Sequence, residues 1–372
     1  MREMVQRLDQ QVRSHLPAIP KMMLRDPLAY VPEPMRNAVS FLKQKWGEIS
    51  AAAKGIISNV CRTQLNCKVQ SERALSLKNQ IKDKLRQFRQ MFGIGNEKEL
   101  EAQFDRTQQV KKALLARAGL DKEVEPADDG VYDSDVLLTT RQSELLLNEL
   151  GQGGRQDVQD EPEPPSKARR SAIYFESQFF EKWDVSRPIP YYFDGSVASW
   201  EASDIRAALQ EIQSKSCIRF AEQRAKPSGY HIAYFKIQSP TFCGLSYIGR
   251  TSPANPVYLS FACGEGMGVA LHETLHALGL AHEHVRMDRD KHIKVDWSNI
   301  DPRYYDAFAV SDPKTFTTYG VEYDYGSIMH YRSNSAALNA NRPTMIPLVN
   351  EAANLRLLGQ RRGLSARDVE LL

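Results

Sequence analysis

Between residues 71 and 92 apolar side chains recur at three- and four-residue steps: Leu77, Ile81, Leu85, Phe88 and Phe92. That period puts them on one face of a helix. Residues 41–60 carry a second amphipathic pattern, read as a helix packed on its neighbours or one lying on a membrane surface. A composition rich in Lys, Arg, Gln and Leu continues to about residue 118, so the first part of the chain is expected to be mainly helical. The pattern then breaks. Residues 151–170 hold glycines, prolines and charges with almost nothing to bury, which predicts an exposed linker. The linker ends in Lys167-Ala168-Arg169-Arg170, a basic cluster suited to a processing protease acting near Arg170. Beyond it the rhythm changes. Residues 189–193, 231–237, 245–250 and 257–261 read as strands. Ile205, Ala208, Leu209 and Ile212 mark one helix face, and a further helix runs through 267–278 and stops at Gly279. Strands and helices mixed without regular alternation predict an α+β fold. The organisation is therefore 1–150 mainly helical, 151–170 linker, and 171–372 a domain long enough for its own core.

Composition narrows the classes. Lys plus Arg number 49 and Asp plus Glu 46, a net charge of +3, which argues against nucleic-acid binding through bulk charge. No run of about 18 apolar residues predicts a membrane span. Residues 1–20 show no apolar core of a signal peptide. The cysteines are Cys61, Cys67, Cys217, Cys243 and Cys263, an odd set that leaves at least one free or paired outside the chain. Cys61 and Cys67 are either free or joined locally.

The chemistry concentrates in His272-Glu273-Thr274-Leu275-His276-Ala277-Leu278-Gly279-Leu280-Ala281-His282. Positions four apart share a helix face, so His272 and His276 can address one ion. Gly279 can adopt a left-handed conformation and turn the chain back, bringing His282 to the same ion. Three neutral imidazoles suit zinc and leave a position for water. Glu273 then stands next to the first ligand, placed to move the protons of a peptide hydrolysis. His284 and His292 are read as exposed, solvated histidines and not as ligands.

These residues resemble the astacin family of zinc endopeptidases. The resemblance continues through His282-Glu283-His284-Val285-Arg286-Met287-Asp288-Arg289-Asp290 and through Ser327-Ile328-Met329-His330-Tyr331, which is similar to the family's Met-turn; it covers about residues 171–372. It implies a two-lobed metzincin catalytic domain with a twisted mixed sheet and an active-site helix. It also implies one Zn2+ per subunit on His272, His276 and His282, and Glu273 as general base and acid. Met329 would lie beneath the metal, and Tyr331 would be an extra ligand that swings to the tetrahedral intermediate. Residues 1–150 would be a propeptide. Tyr132-Asp133-Ser134-Asp135 resembles the family's propeptide motif with two changes, making Asp135 the carboxylate that latches the zinc. Cleavage after Arg170 would free Ser171, whose ammonium would reach Glu283 through water. The resemblance further implies a Cys243–Cys263 disulfide, a cleft-edge strand at 245–250 that pairs with extended substrate, Pro347 at the pocket past the scissile bond, and secretion. Cys217 matches a cysteine whose usual partner lies beyond residue 372, so it is expected to be free. Partners would be protein or peptide substrates and an activating protease. The competing reading is a catalytically silent binding protein that keeps the fold.

Overall fold

The computed structural model describes residues 47–152, 169–173, 181–239, 242–311 and 316–372. Its elements are α1 (Ala51–Thr63), α2 (Glu72–Phe92), α3 (Glu97–Ala118), β1 (Val136–Leu137), α4 (Thr140–Gln152), β2 (Arg169–Ile173), β3 (Ile189–Phe193), α5 (Ser199–Lys215), β4 (Phe220–Glu222), β5 (Ile232–Lys236), β6 (Gly244–Tyr247), β7 (Asn255–Leu259), α6 (Gly266–Leu278), β8 (Ile293–Val295), β9 (Phe316–Tyr319), β10 (Met345–Pro347), α7 (Glu351–Asn354) and α8 (Ala366–Leu371). The class is α+β, as the pattern predicts.

The N-terminal helices are delimited by local chemistry. Ser71 Oγ accepts the N–H of Ala74 at the start of α2, and Gly93, left-handed at φ 61°, closes it. Asn96 and Glu99 form a reciprocal capping box on α3, which ends at the left-handed Gly119. The amphipathic pattern at 41–60 yields a shorter helix than its length suggests. Residues 41–46 lie outside the described residues, and α1 begins only after Ser50, whose side chain accepts from Ala53 N–H. Ile57 and Val60 of α1 are buried, and Ile57 packs in a core shared with α3 and α4, so this face is covered by protein.

A six-stranded sheet runs in the order β1-β6-β7-β5-β3-β4. β6 is antiparallel to β7, and the other pairs are parallel. Both faces are buried, and the pleat sorts neighbouring residues between them. Tyr191, Tyr234, Val257 and Leu259 face α5 and α6. Tyr192, Phe235, Tyr258 and Tyr247 face Ile81, Leu85 and Phe88 of α2 and Phe104 of α3. The N-terminal segment thus shares its core with the sheet, and it also supplies the edge strand β1, with Val136 opposite Ser246. A separate core around Ile293, Phe308, Tyr323 and Met345 forms the lower lobe beyond α6, where β8 pairs with β10.

The linker expectation changes at both ends. Gly151 belongs to α4, residues 153–168 lie outside the described residues, and Arg169–Ile173 form β2, antiparallel to β9 with Ser171 opposite Thr318. The cluster around Arg170 therefore ends in a paired strand. The Cys243–Cys263 disulfide is present, Cys61 and Cys67 are also joined, and Cys217 is free and exposed. Among the described residues no helix is long and apolar enough to cross a membrane.

Candidate metal centre

Helix α6 is buried almost throughout, from Gly268 to Ala277. Gly268 has no side chain where a Cβ would fall 1.8 Å from the carbonyl oxygen of Arg361, so the two backbones can approach. At the other end Gly279 has φ 116° and its N–H reaches the carbonyls of Leu275 and His276. This left-handed cap reverses the chain and delivers His282 to the face that carries His272 and His276.

The protonation of the three imidazoles follows from their partners. His272 Nδ1 lies 2.8 Å from Ile328 O, and His276 Nδ1 lies 2.7 Å from Leu280 O. His282 Nδ1 is 2.8 Å from Asp133 Oδ2. Each partner accepts, so each Nδ1 carries the proton; against the effect of burial, Asp135 and Asp133 push the His282 imidazole up to about 10, and a metal ion at the centre would displace that proton and leave each ring a lone pair at Nε2. Those lone pairs converge. His282 Nε2 lies 3.1 Å from His276 Nε2 and 3.3 Å from His272 Nε2. Three acceptors facing one another need a cation between them. Zinc–nitrogen bonds of about 2.0–2.1 Å in a tetrahedron separate the nitrogens by about 3.3 Å, so the donor set fits zinc.

Asp135 completes the group, with its carboxylate oxygens 3.4 Å from His272 Nε2, 3.6 Å from His276 Nε2 and 3.1 Å from His282 Nε2. Its Oδ1 is buried without a hydrogen-bond partner, as is Glu273 Oε2. Burial, and then the charge of Asp135, push the Glu273 carboxyl well above the usual carboxylate range. The backbone gives Glu273 its room: a Cβ on Gly244 would fall 2.2 Å from Glu273 Oε1.

Met329 is buried in the core beneath α6, and its carbonyl accepts the N–H of Glu283 at 3.0 Å. Tyr331 packs edge-on against His282, with its O–H donating to Asp133 O at 2.6 Å. The hydroxyl is thus engaged by the N-terminal segment. Glu283 is buried, and its Oε1 accepts from Arg286 at 2.9 Å and from Asp324 N–H at 2.8 Å. Burial outweighs Arg286 and pushes its carboxyl up to about 8. Ser171 lies in β2, opposite Thr318. Pro347 sits in β10 opposite Ile293 and does not line the cleft of about 650 Å³ above the metal site.

His284 corrects the reading of a solvated histidine. It is fully buried, stacks on Tyr331 with ring centroids 3.8 Å apart, and donates from Nε2 to Ala307 O at 2.8 Å. Burial holds it neutral by depressing its pKa. His292 is half-buried and stacks on Tyr323. Neither joins the convergent trio. Sequence reasoning missed Asp133, Gly244 and the buried Lys111. A lysine at the four-residue step Gln103, Thr107, Lys111 on the buried side of α3 was the available signal for the last.

Convergent imidazole nitrogens on a capped helix, with a carboxylate beside the first of them, define a zinc centre of the metallopeptidase type. The model of the astacin peptidase family matches residues 175–372, and the chain belongs to that family. Among curated relatives, zinc metalloproteinase nas-10 of Caenorhabditis elegans is 50% identical over 96% of this chain and 66% of its own length. Zinc metalloproteinase nas-9 of the same organism is 46% identical over the same shares. The chain therefore spans just under two thirds of these relatives. Among solved structures, high choriolytic enzyme 1, a hatching enzyme zinc-protease of Oryzias latipes, is 30% identical over 52% of this chain and 90% of its own, with a TM-score of 0.43.

Proposed function

We propose that this protein is a secreted zinc-dependent endopeptidase made as a latent precursor, with residues 1–150 as the prosegment and 171–372 as the catalytic domain. The observation that carries the reading is the trio of Nε2 lone pairs closed by the Asp135 carboxylate. Two disulfides favour an oxidising, extracellular setting.

His272, His276 and His282 would hold the ion. Zinc, when bound, supplies a Lewis acid that acidifies water and polarises a carbonyl. Glu273 takes the proton of the attacking water at Oε2 and delivers it to the departing amine nitrogen, so the peptide yields a carboxylate and an amine. Tyr331 donates from its hydroxyl to the carbonyl oxygen as negative charge develops there. In the precursor Asp135 occupies the place of that water, and Asp133 holds both the Tyr331 hydroxyl and His282. β1 fills the side of β6 where an extended substrate would pair. A cut after Arg170 by an activating protease frees Ser171, whose ammonium then meets the buried Glu283 carboxylate. Pro347 would shape the pocket beyond the scissile bond through β10.

Hydrolysis of an unfolded protein tests this. The uncut chain is compared with chain cut after Arg170 and freed of its prosegment, with Glu273→Ala as control. Activity confined to the cut wild type and abolished by a chelator is expected. A cut, zinc-loaded, folded wild type that hydrolyses nothing would sink the reading in favour of a silent binding protein.

A further inference from the structure

The ammonium of Lys111 on α3 lies 2.9 Å from Asp129 Oδ1, 3.3 Å from Val131 O and 3.5 Å from Asp306 Oδ1. All three charged side chains are buried. Asp306 belongs to the catalytic part, and its Oδ2 accepts the N–H of Asp133 at 3.1 Å. The same Asp133 gives its carbonyl to Tyr331 and its carboxylate to His282. The peptide that crosses the metal site therefore touches Asp306 within one residue of the groups that would bind a scissile carbonyl. Asp129 and Tyr304 both line the cleft, so the pocket around Lys111 borders it.

Lys111 and Asp129 lie in residues 47–150, whereas Asp306 remains when that segment leaves. Its Oδ1 has no hydrogen-bond donor. The nearby cations of the catalytic part are committed elsewhere: Arg303 to Asp301, Arg289 to Asp290, and Arg286 to Glu283 and Asp288. When that segment leaves, Asp306 loses Lys111 and the Asp133 N–H together and faces the space they filled, a carboxylate with no cation paired to it.

We propose that Asp306 forms a subsite for a cationic side chain, lysine or arginine, of the substrate polypeptide, and that Lys111 occupies this subsite in the precursor. The proposal rests on the endopeptidase reading and adds a substrate class to it. The site has two features of ammonium recognition: a carboxylate oxygen without a hydrogen-bond donor, and an occupant of the same chemistry in place in the precursor.

The test uses chain cut after Arg170 and freed of its prosegment, zinc-loaded, and peptides that carry lysine or isosteric norleucine at each of the two positions on either side of the scissile bond. At one position kcat/KM should favour lysine by at least about tenfold, a close charged pair being worth that much. In Asp306→Asn the lysine-to-norleucine ratio should fall to within about twofold. Equal ratios in wild type and variant would overturn the subsite. A second measurement uses the uncut full chain. Lys111→Ala vacates the site, and n-butylammonium but not n-butanol should raise its Tm, an effect lost when Asp306→Asn is added. No response to butylammonium would also overturn the proposal. If the cut wild type hydrolyses no peptide at all, the endopeptidase reading fails, and the butylammonium result still decides the cation site.

Discussion

In the proposed precursor, two aspartates of one short turn would divide the work of silencing the site. Asp135 aims its carboxylate at the three Nε2 atoms, and Asp133 holds His282 and Tyr331 through its side chain and carbonyl. Asp133 and Ser134 both take positive φ, 46° and 64°, and this bends the backbone so that the turn serves both tasks. Asp135→Ala removes only the first. The uncut variant should lose its metal to a chelator faster than wild type, while its helix content by circular dichroism stays the same. Glu273→Ala should lower kcat of the cut enzyme by about 10²–10⁴-fold, the usual range for a general acid–base, with zinc content unchanged. A drop accompanied by loss of zinc would place Glu273 in metal retention instead.

At the level of elements, helix α6 and its cap were legible in the sequence, because ligand spacing and a terminal glycine are both local signals. Gly279→Ala should cost about 1–3 kcal/mol in urea unfolding, since a Cβ is strained at φ 116°, and should weaken zinc binding by displacing His282. The four strands read at 189–193, 231–237, 245–250 and 257–261 were legible to within a few residues, and so was the stripe on α2; the short strands β4, β8, β9 and β10 were not read. Three further features were not legible. His284 read as solvated because a histidine's burial depends on what folds over it, here Tyr331 and Phe308. The strand pairing of Arg169–Ile173 is invisible in a segment whose own composition favours solvent. The addition of Val136 and Leu137 to the edge of the sheet joins residues more than a hundred positions apart, and no local period encodes such a contact.

The described residues from 47 onward share cores that ignore the boundary at Arg170. Ile57, Leu114 and Leu146 pack with Ile248, Tyr305 and Ala309, and the aromatic face of the sheet packs on α2 and α3. Removing the metal from the uncut chain should therefore lower its Tm only modestly, because Asp135 and these cores remain; a collapse of the folded state on chelation would show that zinc, and not packing, holds the precursor together. The shared cores have a further consequence. Hydrolysis of the peptide bond after Arg170 removes a covalent tie but none of these contacts, so the cut molecule is a heterodimer governed by mass action. Both fragments should co-elute at micromolar concentration, with activity emerging after a lag on dilution below their dissociation constant. On the proposed reading, dilution away from the site of cutting would act as a timer: the enzyme would be released in step with its distance from where it was made ready.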